Sequence, residues 1–179
     1  DRKPVSPGDP VVAPPWLSEA WERLERDPAL VRALDAFLEG LDLESSHPSM
    51  AAVAFTACLE TLAVKLYRLE RCTACNSSTG IGRSVKAALR LVLSEEKART
   101  LDSGYGKRSS TVHSGRFHAH ETTPGGIEPF WASSSASTGY RLGLLRLRGA
   151  ARDLLRMALL GQLPEKLDLP PPTGSTAGP

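Results

Sequence analysis

The sequence lacks the motifs of several large enzyme classes. It has no G-x-x-x-x-G-K-S/T, no G-x-G-x-x-G and no H-E-x-x-H, so nucleotide hydrolysis, dinucleotide binding and zincin chemistry have no support. No uninterrupted apolar run reaches the roughly 18 residues that span a bilayer, and no signal peptide opens the chain. The chain has only three cysteines and no extracellular signal, which favours a reducing compartment and a cytoplasmic location.

Aromatic residues make up only 6% of the chain, and no stretch alternates apolar and polar residues as a half-buried strand does. Leucine and alanine dominate the apolar residues, and both favour helices. The 179 residues suit one domain. We therefore predict an all-α fold, with a helical domain over 16–163 between a Pro-rich linker, 1–15, and a disordered tail, 164–179. Because Asp1 stands where Met would, we expect a carboxy-terminal piece of a longer protein or a processed chain.

Apolar residues at helical spacing and local start signals predict the individual helices. The predicted segments are 17–26 with Ser18 as a cap, a helix starting at Asp27-Pro28, 48 to about 70, 81–93, 94 through 101, a motif helix ending at Gly115, and 133–161. The segment from 48 is apolar around enough of its circumference to predict burial on more than one side. The residues expected to pack inward are Leu30, Leu34, Phe37, Leu38, Leu41, Leu142, Leu145, Leu154, Leu155, Met157, Ala158 and Leu159, with Trp16, Trp21 and Trp131 as anchors and Met50 as core filler.

Charge is unevenly distributed although the formal net charge is only +2. Residues 1–50 hold five Lys/Arg against ten Asp/Glu, and residues 81–118 hold eight against three. Residues 138–160 add five arginines against one acid, Asp153. A phosphate-bearing partner requires such a basic region. A solvated helix face, balanced by the acidic amino-terminal segment, explains the same pattern equally well.

Arg108 precedes His113 by five residues, and the hydroxyl residue Ser109 directly follows the arginine. A guanidinium grips a phosphate with two hydrogen bonds, and an imidazole gives or takes a proton near neutral pH. These groups can cleave RNA without a metal, with the sugar's 2′-OH as nucleophile. On a helix Ser109 and His113 share a face, and Arg108 lies about 140° around from His113. We expect Leu101 and Val112 to face inward. In an arbitrary sequence this spacing is more often a surface arginine and a helix-end histidine.

The stretch from Tyr105 to Gly115 resembles the R-x4-6-H signature of HEPN domains (higher eukaryotes and prokaryotes nucleotide-binding), in particular the Apea-like subgroup. It has the tyrosine, the arginine followed by a polar residue, the short apolar step and the His-x-Gly, and the resemblance extends over residues 48–161. It implies a helical bundle that forms a homodimer, with two motif helices facing one groove. It also implies a metal-independent endoribonuclease without a cofactor, as the carboxy-terminal module of a larger defence or toxin-type protein.

Within this resemblance Arg108 and His113 are the expected catalytic residues, and Ser109 is expected to orient the imidazole. The residues expected to bind or steer RNA are Tyr105, Lys107, Arg116 and His118. In active members the residue after the arginine is often Asn, Asp or His, whereas here it is Ser109. This difference favours an alternative, a non-catalytic dimerisation or RNA-binding module serving an upstream domain. A helical adaptor that grips a basic protein through the acidic amino-terminal segment is a further alternative.

Cys72 and Cys75 form a CxxC pair, which is half of a tetrahedral zinc site. No second pair completes it. Cys58, His118 and His120 would serve as ligands only if the fold brings them close. We therefore interpret the pair as a structural turn with two free thiols, with zinc binding as the alternative. A thioredoxin-like redox role lacks the βαβ setting that it needs.

Overall fold

The chain folds as a bundle of helices. The structure, a computed structural model, describes residues 13–71, 78–101, 111–112 and 135–169. Its helices are α1 (Leu17–Arg26), α2 (Pro28–Leu43), α3 (Pro48–Leu66), α4 (Ile81–Val92), α5 (95–101) and α6 (Ser135–Leu159). Residues 111 and 112 are also helical. The predicted all-α fold is confirmed.

Asp27 separates α1 from α2 and starts the second helix. Its Oδ1 accepts hydrogen bonds from the backbone N–H groups of Ala29, at 3.0 Å, and of Leu30, at 3.3 Å. Pro28 stands in the first turn, where its missing N–H costs no helical hydrogen bond. The predicted start at Asp27-Pro28 is confirmed. The predicted cap at Ser18 is wrong, because α1 begins at Leu17 and places Ser18 inside its first turn, behind an N-cap at Trp16.

Asp27 also joins the start of α2 to the end of α3. Its Oδ2 accepts a hydrogen bond from the Lys65 ammonium. Burial alone would raise the pKa of Asp27, but the bond from Lys65 and the two backbone bonds together hold the pKa below its ordinary value of 3.8. A carboxylate with a lowered folded-state pKa adds stability that is present above the unfolded pKa and is lost as the pH falls through the folded value.

We expect Asp27→Ala to lower the free energy of unfolding at pH 7 by about 0.5–2 kcal/mol, because it removes the helix cap, and by somewhat more through the lost Lys65 contact. Asp27→Asn keeps a capping oxygen and loses only the charge, so we expect a smaller loss. The difference between wild type and Asp27→Asn should shrink as the pH falls below 3.8. Urea unfolding at pH 7 and at acid pH measures both effects. A difference independent of pH would contradict the role of the ionised carboxylate.

α3 is the central helix, and α2, α4 and α6 pack around it. Its side chains Phe55, Leu59 and Leu62 are fully buried, and the Phe55 ring lies 5.6 Å from the Phe37 ring of α2. Burial on more than one side is therefore confirmed. By length and composition alone, α3 could also cross a membrane, since an 18-residue window of the helix has a mean hydropathy of 1.5. However, 56% of that window is buried inside the bundle. The core helix of a globular protein passes the same test.

α3 ends at Leu66 rather than near the predicted residue 70, because the chain continues directly into two short strands. β1 (Tyr67–Arg68) pairs in parallel with β4 (Leu167–Asp168), and β2 (Glu70–Arg71) pairs antiparallel with β3 (Ser78–Thr79). Arg68 Nη1 lies 3.3 Å from Asp168 Oδ1 across the first pair. Residues 164–169, which the sequence assigned to the tail, thus return to the helical body. Leu169, just after β4, packs against the core.

Several apolar side chains that were predicted to pack inward are exposed. They are Trp16, Trp21, Leu38, Leu41, Met50, Leu142 and Leu145. Each helix turns only part of its circumference to the core. At the start of α6 the leucine that faces the core is Leu144, which is 5% exposed and lies between the exposed Leu142 and Leu145. Farther along the helix, Leu154, Leu155 and Ala158 are buried as predicted. In the ten-residue α1 the buried residue is Ala20, and both Trp21 and the N-cap Trp16 are exposed.

Candidate functional site

α4 and α5 meet at a charged corner that precedes the motif in the chain. Arg90 donates to Glu95 from Nε to Oε2 at 2.8 Å and from Nη2 to Oε1 at 3.3 Å, and Arg99 Nε donates to Oε1 at 3.3 Å. The Arg90 guanidinium is the main reason that the pKa of Glu95 lies below its ordinary value of 4.5. One carboxylate between two guanidiniums leaves this exposed corner with an excess of positive charge.

α5 is attached to the core by Ala98 and Leu101, which are 5% and 7% exposed. The inward position predicted for Leu101 is confirmed. The one predicted for Val112 is wrong, because Thr111 is 7% exposed and Val112 is 49% exposed. Successive residues of a helix point about 100° apart, so one of two neighbours can be buried while the other is exposed. Here the core side belongs to the threonine, and the valine next to His113 in the chain faces outward.

The catalytic residues that the sequence predicts lie outside the described residues. This applies to Arg108, Ser109 and His113. It applies equally to the predicted RNA-binding residues Tyr105, Lys107, Arg116 and His118, and to His120. The described residues nearest to them in the chain are Leu101, Thr111, Val112 and Ser135. The roles assigned to the motif therefore stay predictions.

α6 follows the motif segment and carries a described part of the predicted basic region. It has five arginines and one acidic residue, Asp153. Arg148 Nη1 donates to Glu44 Oε2 at 2.7 Å and so ties α6 to the end of α2, and Arg152 Nε donates to Asp153 Oδ1 at 2.9 Å. Arg141, Arg146 and Arg156 are exposed. A count of arginines does not reveal this surface, whereas the four-residue spacing of Arg148, Arg152 and Arg156 places them on one face of α6.

The described part of the chain holds no complete metal site by itself. Within it, no three His, Cys, Asp or Glu side chains lie together as a metal site requires. Cys58, one candidate ligand, is fully buried in the core, and burial raises the pKa of its thiol to about 12. Zinc binds the thiolate, so this environment disfavours Cys58 as a ligand. β2 and β3 pair on either side of the segment with Cys72 and Cys75, both of which lie outside the described residues.

Comparisons of the chain with protein-family models, with curated proteins and with solved structures found no match. The HEPN resemblance accordingly rests on the residues of the motif and on the order of the helices around it.

Proposed function

We propose that the chain is a metal-independent endoribonuclease in which Arg108 and His113 carry the reaction. The observation that supports this most directly is the R-x4-H motif with its flanking tyrosine and His-x-Gly. The motif lies between α5 and α6 in an all-α chain, as expected for a HEPN-like domain. The five arginines of α6 favour a phosphate-bearing substrate.

In the proposed reaction the 2′-oxygen of a ribose attacks the adjacent phosphorus. His113 takes the proton from this 2′-OH as general base, or gives a proton to the leaving 5′-oxygen as general acid. Arg108 stabilises the negative charge that builds up on the phosphorane. A bond from phosphorus to the 2′-oxygen forms as the bond to the 5′-oxygen breaks. The products are a 2′,3′-cyclic phosphate and a 5′-OH, and Ser109 keeps the imidazole in orientation.

The proposal includes a homodimer, because one R-x4-H supplies one imidazole and the reaction uses an acid and a base on opposite sides of the phosphorus. α3, α6 and the motif segment are the proposed interface elements. Tyr105, Lys107, Arg116 and His118 would bind the RNA beside the catalytic pair. No cofactor is required, and the proposed setting is a cytoplasmic module of a larger defence or toxin-type protein.

A second candidate is a non-catalytic dimerisation or RNA-binding module that serves an upstream domain. Ser109 favours it, since active HEPN domains often have Asn, Asp or His after the arginine. The two candidates differ in one measurable property, the cleavage of RNA. The first cleaves RNA, whereas the second binds RNA or a second copy of the chain and leaves RNA intact.

RNA incubated with the purified protein in EDTA tests the proposal. We expect cleavage to persist, because the proposed chemistry uses side chains and the 2′-OH alone. A DNA strand of the same sequence should remain intact, because it lacks the nucleophile. Detection of the 2′,3′-cyclic phosphate by mass spectrometry identifies the reaction. Cleavage of DNA at a similar rate would contradict the mechanism, and an intact RNA would shift the weight to the second candidate.

A further inference from the structure

Four arginines form a stripe along α6, here called the arginine stripe: Arg141, Arg148, Arg152 and Arg156. Arg148, Arg152 and Arg156 follow one another at intervals of four residues, and Arg141 lies seven residues before Arg148. These spacings put all four within an arc of about 80° and along about 22 Å of the helix. Arg141, Arg152 and Arg156 are exposed, and Arg148 is half-buried against Glu44.

The charges of this stripe are arranged differently from those of α1. In α1 each arginine follows a glutamate by four residues and pairs with it, as Arg23 does with Glu19 and Arg26 with Glu22. Such pairs stabilise a helix, and like charges at the same spacing destabilise it. In α6 the residue four positions before Arg152 is Arg148, and the residue four positions before Arg156 is Arg152. The stripe therefore places like charges one turn apart, which does not help α6 to fold.

Nearby carboxylates neutralise the stripe only in part. Glu44 pairs with Arg148 and Asp153 pairs with Arg152. Among the described residues no carboxylate lies within ion-pair distance of Arg141 or Arg156. The exposed charge is thus not accounted for by the contacts within this part of the fold.

We propose that the arginine stripe binds the phosphate backbone of an RNA strand. A polyanion relieves the repulsion between neighbouring arginines, and each guanidinium can hold a phosphate through two hydrogen bonds. The length of the stripe fits several phosphates rather than a single mononucleotide. The choice of RNA rests on the proposed function, whereas the demand for an extended polyanion rests on α6 alone. The exposed Leu142 and Leu145 beside the stripe make a protein interface the competing explanation.

The test is the salt dependence of RNA binding by the full chain. The stripe variant carries Arg141→Gln, Arg152→Gln and Arg156→Gln. The matched control carries Arg26→Gln, Arg32→Gln and Arg68→Gln, which removes the same charge from exposed arginines that lie outside α6 and outside the basic region around the motif. The probe is a labelled single-stranded RNA whose 2′ oxygens are methylated, so that the 2′-OH reaction cannot occur. Fluorescence anisotropy measures the Kd at several salt concentrations between about 50 and 200 mM. Over this range the change of Kd with salt reports the number of phosphate contacts.

We expect the stripe variant to bind more weakly and to lower the slope of log Kd against log salt by about 2, since each phosphate contact on a single strand contributes about 0.7. The control should keep the wild-type slope. Equal losses in both variants, or a wild-type slope in the stripe variant, would overturn the proposal. It would also be overturned if the stripe variant changed the molecular mass in light scattering and left RNA binding intact, because the face would then be a protein interface.

Circular dichroism and the melting temperature confirm that both variants fold. If the triple stripe variant fails to fold, Arg156→Gln alone replaces it, with an expected drop in slope of about 0.7. The result of this RNA-binding test does not depend on whether the protein cleaves RNA. A wild-type protein that binds RNA through the stripe and does not cleave unmodified RNA would sink the catalytic proposal and uphold this one.

Discussion

Replacing His113 by alanine is expected to lower the rate of RNA cleavage by at least the factor of about 10²–10⁴ that general acid–base groups supply. The imidazole is the group in the motif that can exchange a proton near neutral pH. Alanine removes it without adding bulk or charge. Single-turnover cleavage of one defined RNA, with wild type and variant at equal concentration, measures the change in the chemical step. Unchanged cleavage in the His113→Ala protein would end the catalytic proposal.

Arg108→Lys is the companion variant, because it keeps the positive charge and removes the planar fork. A lysine ammonium cannot reproduce the two parallel hydrogen bonds of a guanidinium to a phosphate. We therefore expect cleavage to be lost here as well, with RNA binding retained through the arginine stripe. Light scattering on the same samples should give the mass of a dimer for wild type and for both variants. A monomeric wild type that cleaves RNA would contradict the proposed pairing of two imidazoles across one groove.

Local signals in the sequence correctly predicted helix boundaries that depend on residues within the helix itself. Asp27-Pro28 predicted the start of α2, since a capping carboxylate and a first-turn proline act on their own helix. The end of α3 was placed about four residues too late. There the chain leaves the helix to pair Tyr67 with Leu167, a partner a hundred residues away. No local pattern contains that information.

The sequence was least informative where few residues set the phase of a helix. Thr111 and Val112 are adjacent, and hydrophobicity alone assigned the core position to the valine, whereas the structure buries the threonine. At the candidate site the sequence indicates a chemistry by residue type and spacing, through Arg108 and His113. The arginine stripe cannot be predicted from the number of arginines alone. It follows from their spacing, which places four of them on one face of α6.

Replacing Phe55 by alanine is expected to lower the free energy of unfolding by about 3–5 kcal/mol, the usual cost of removing a buried aromatic ring. Phe55 is fully buried in α3, and its ring packs against Phe37 of α2. A domain of this kind has a total stability of about 5–15 kcal/mol, so the variant would lose a large part of it. Urea unfolding followed by circular dichroism measures the loss. A cost below about 1 kcal/mol would contradict the central position of this ring in the core.

The same ring explains a glycine in the neighbouring helix and allows a sharper test. A Cβ at Gly40 would lie 2.5 Å from Phe55 Cε1 and 2.6 Å from Cδ1, closer than atoms can approach. Gly40→Ala gains about 1 kcal/mol of helix propensity but forces a buried ring to move, which typically costs about 1–3 kcal/mol. We therefore expect it to destabilise the wild-type protein. In the Phe55→Ala protein the space is empty, and Gly40→Ala should stabilise.

Gly143→Ala in α6 is the matched control, because nothing lies within 4 Å of its added Cβ. It should stabilise both backgrounds by about 0.5–1 kcal/mol, the gain of replacing glycine by alanine inside a helix. A reversal of sign confined to Gly40 would place the close approach of α2 and α3 at the Phe55 ring. If Gly40→Ala has the same effect in both backgrounds, then this ring does not require a glycine at position 40, and the packing of α2 on α3 depends on other contacts.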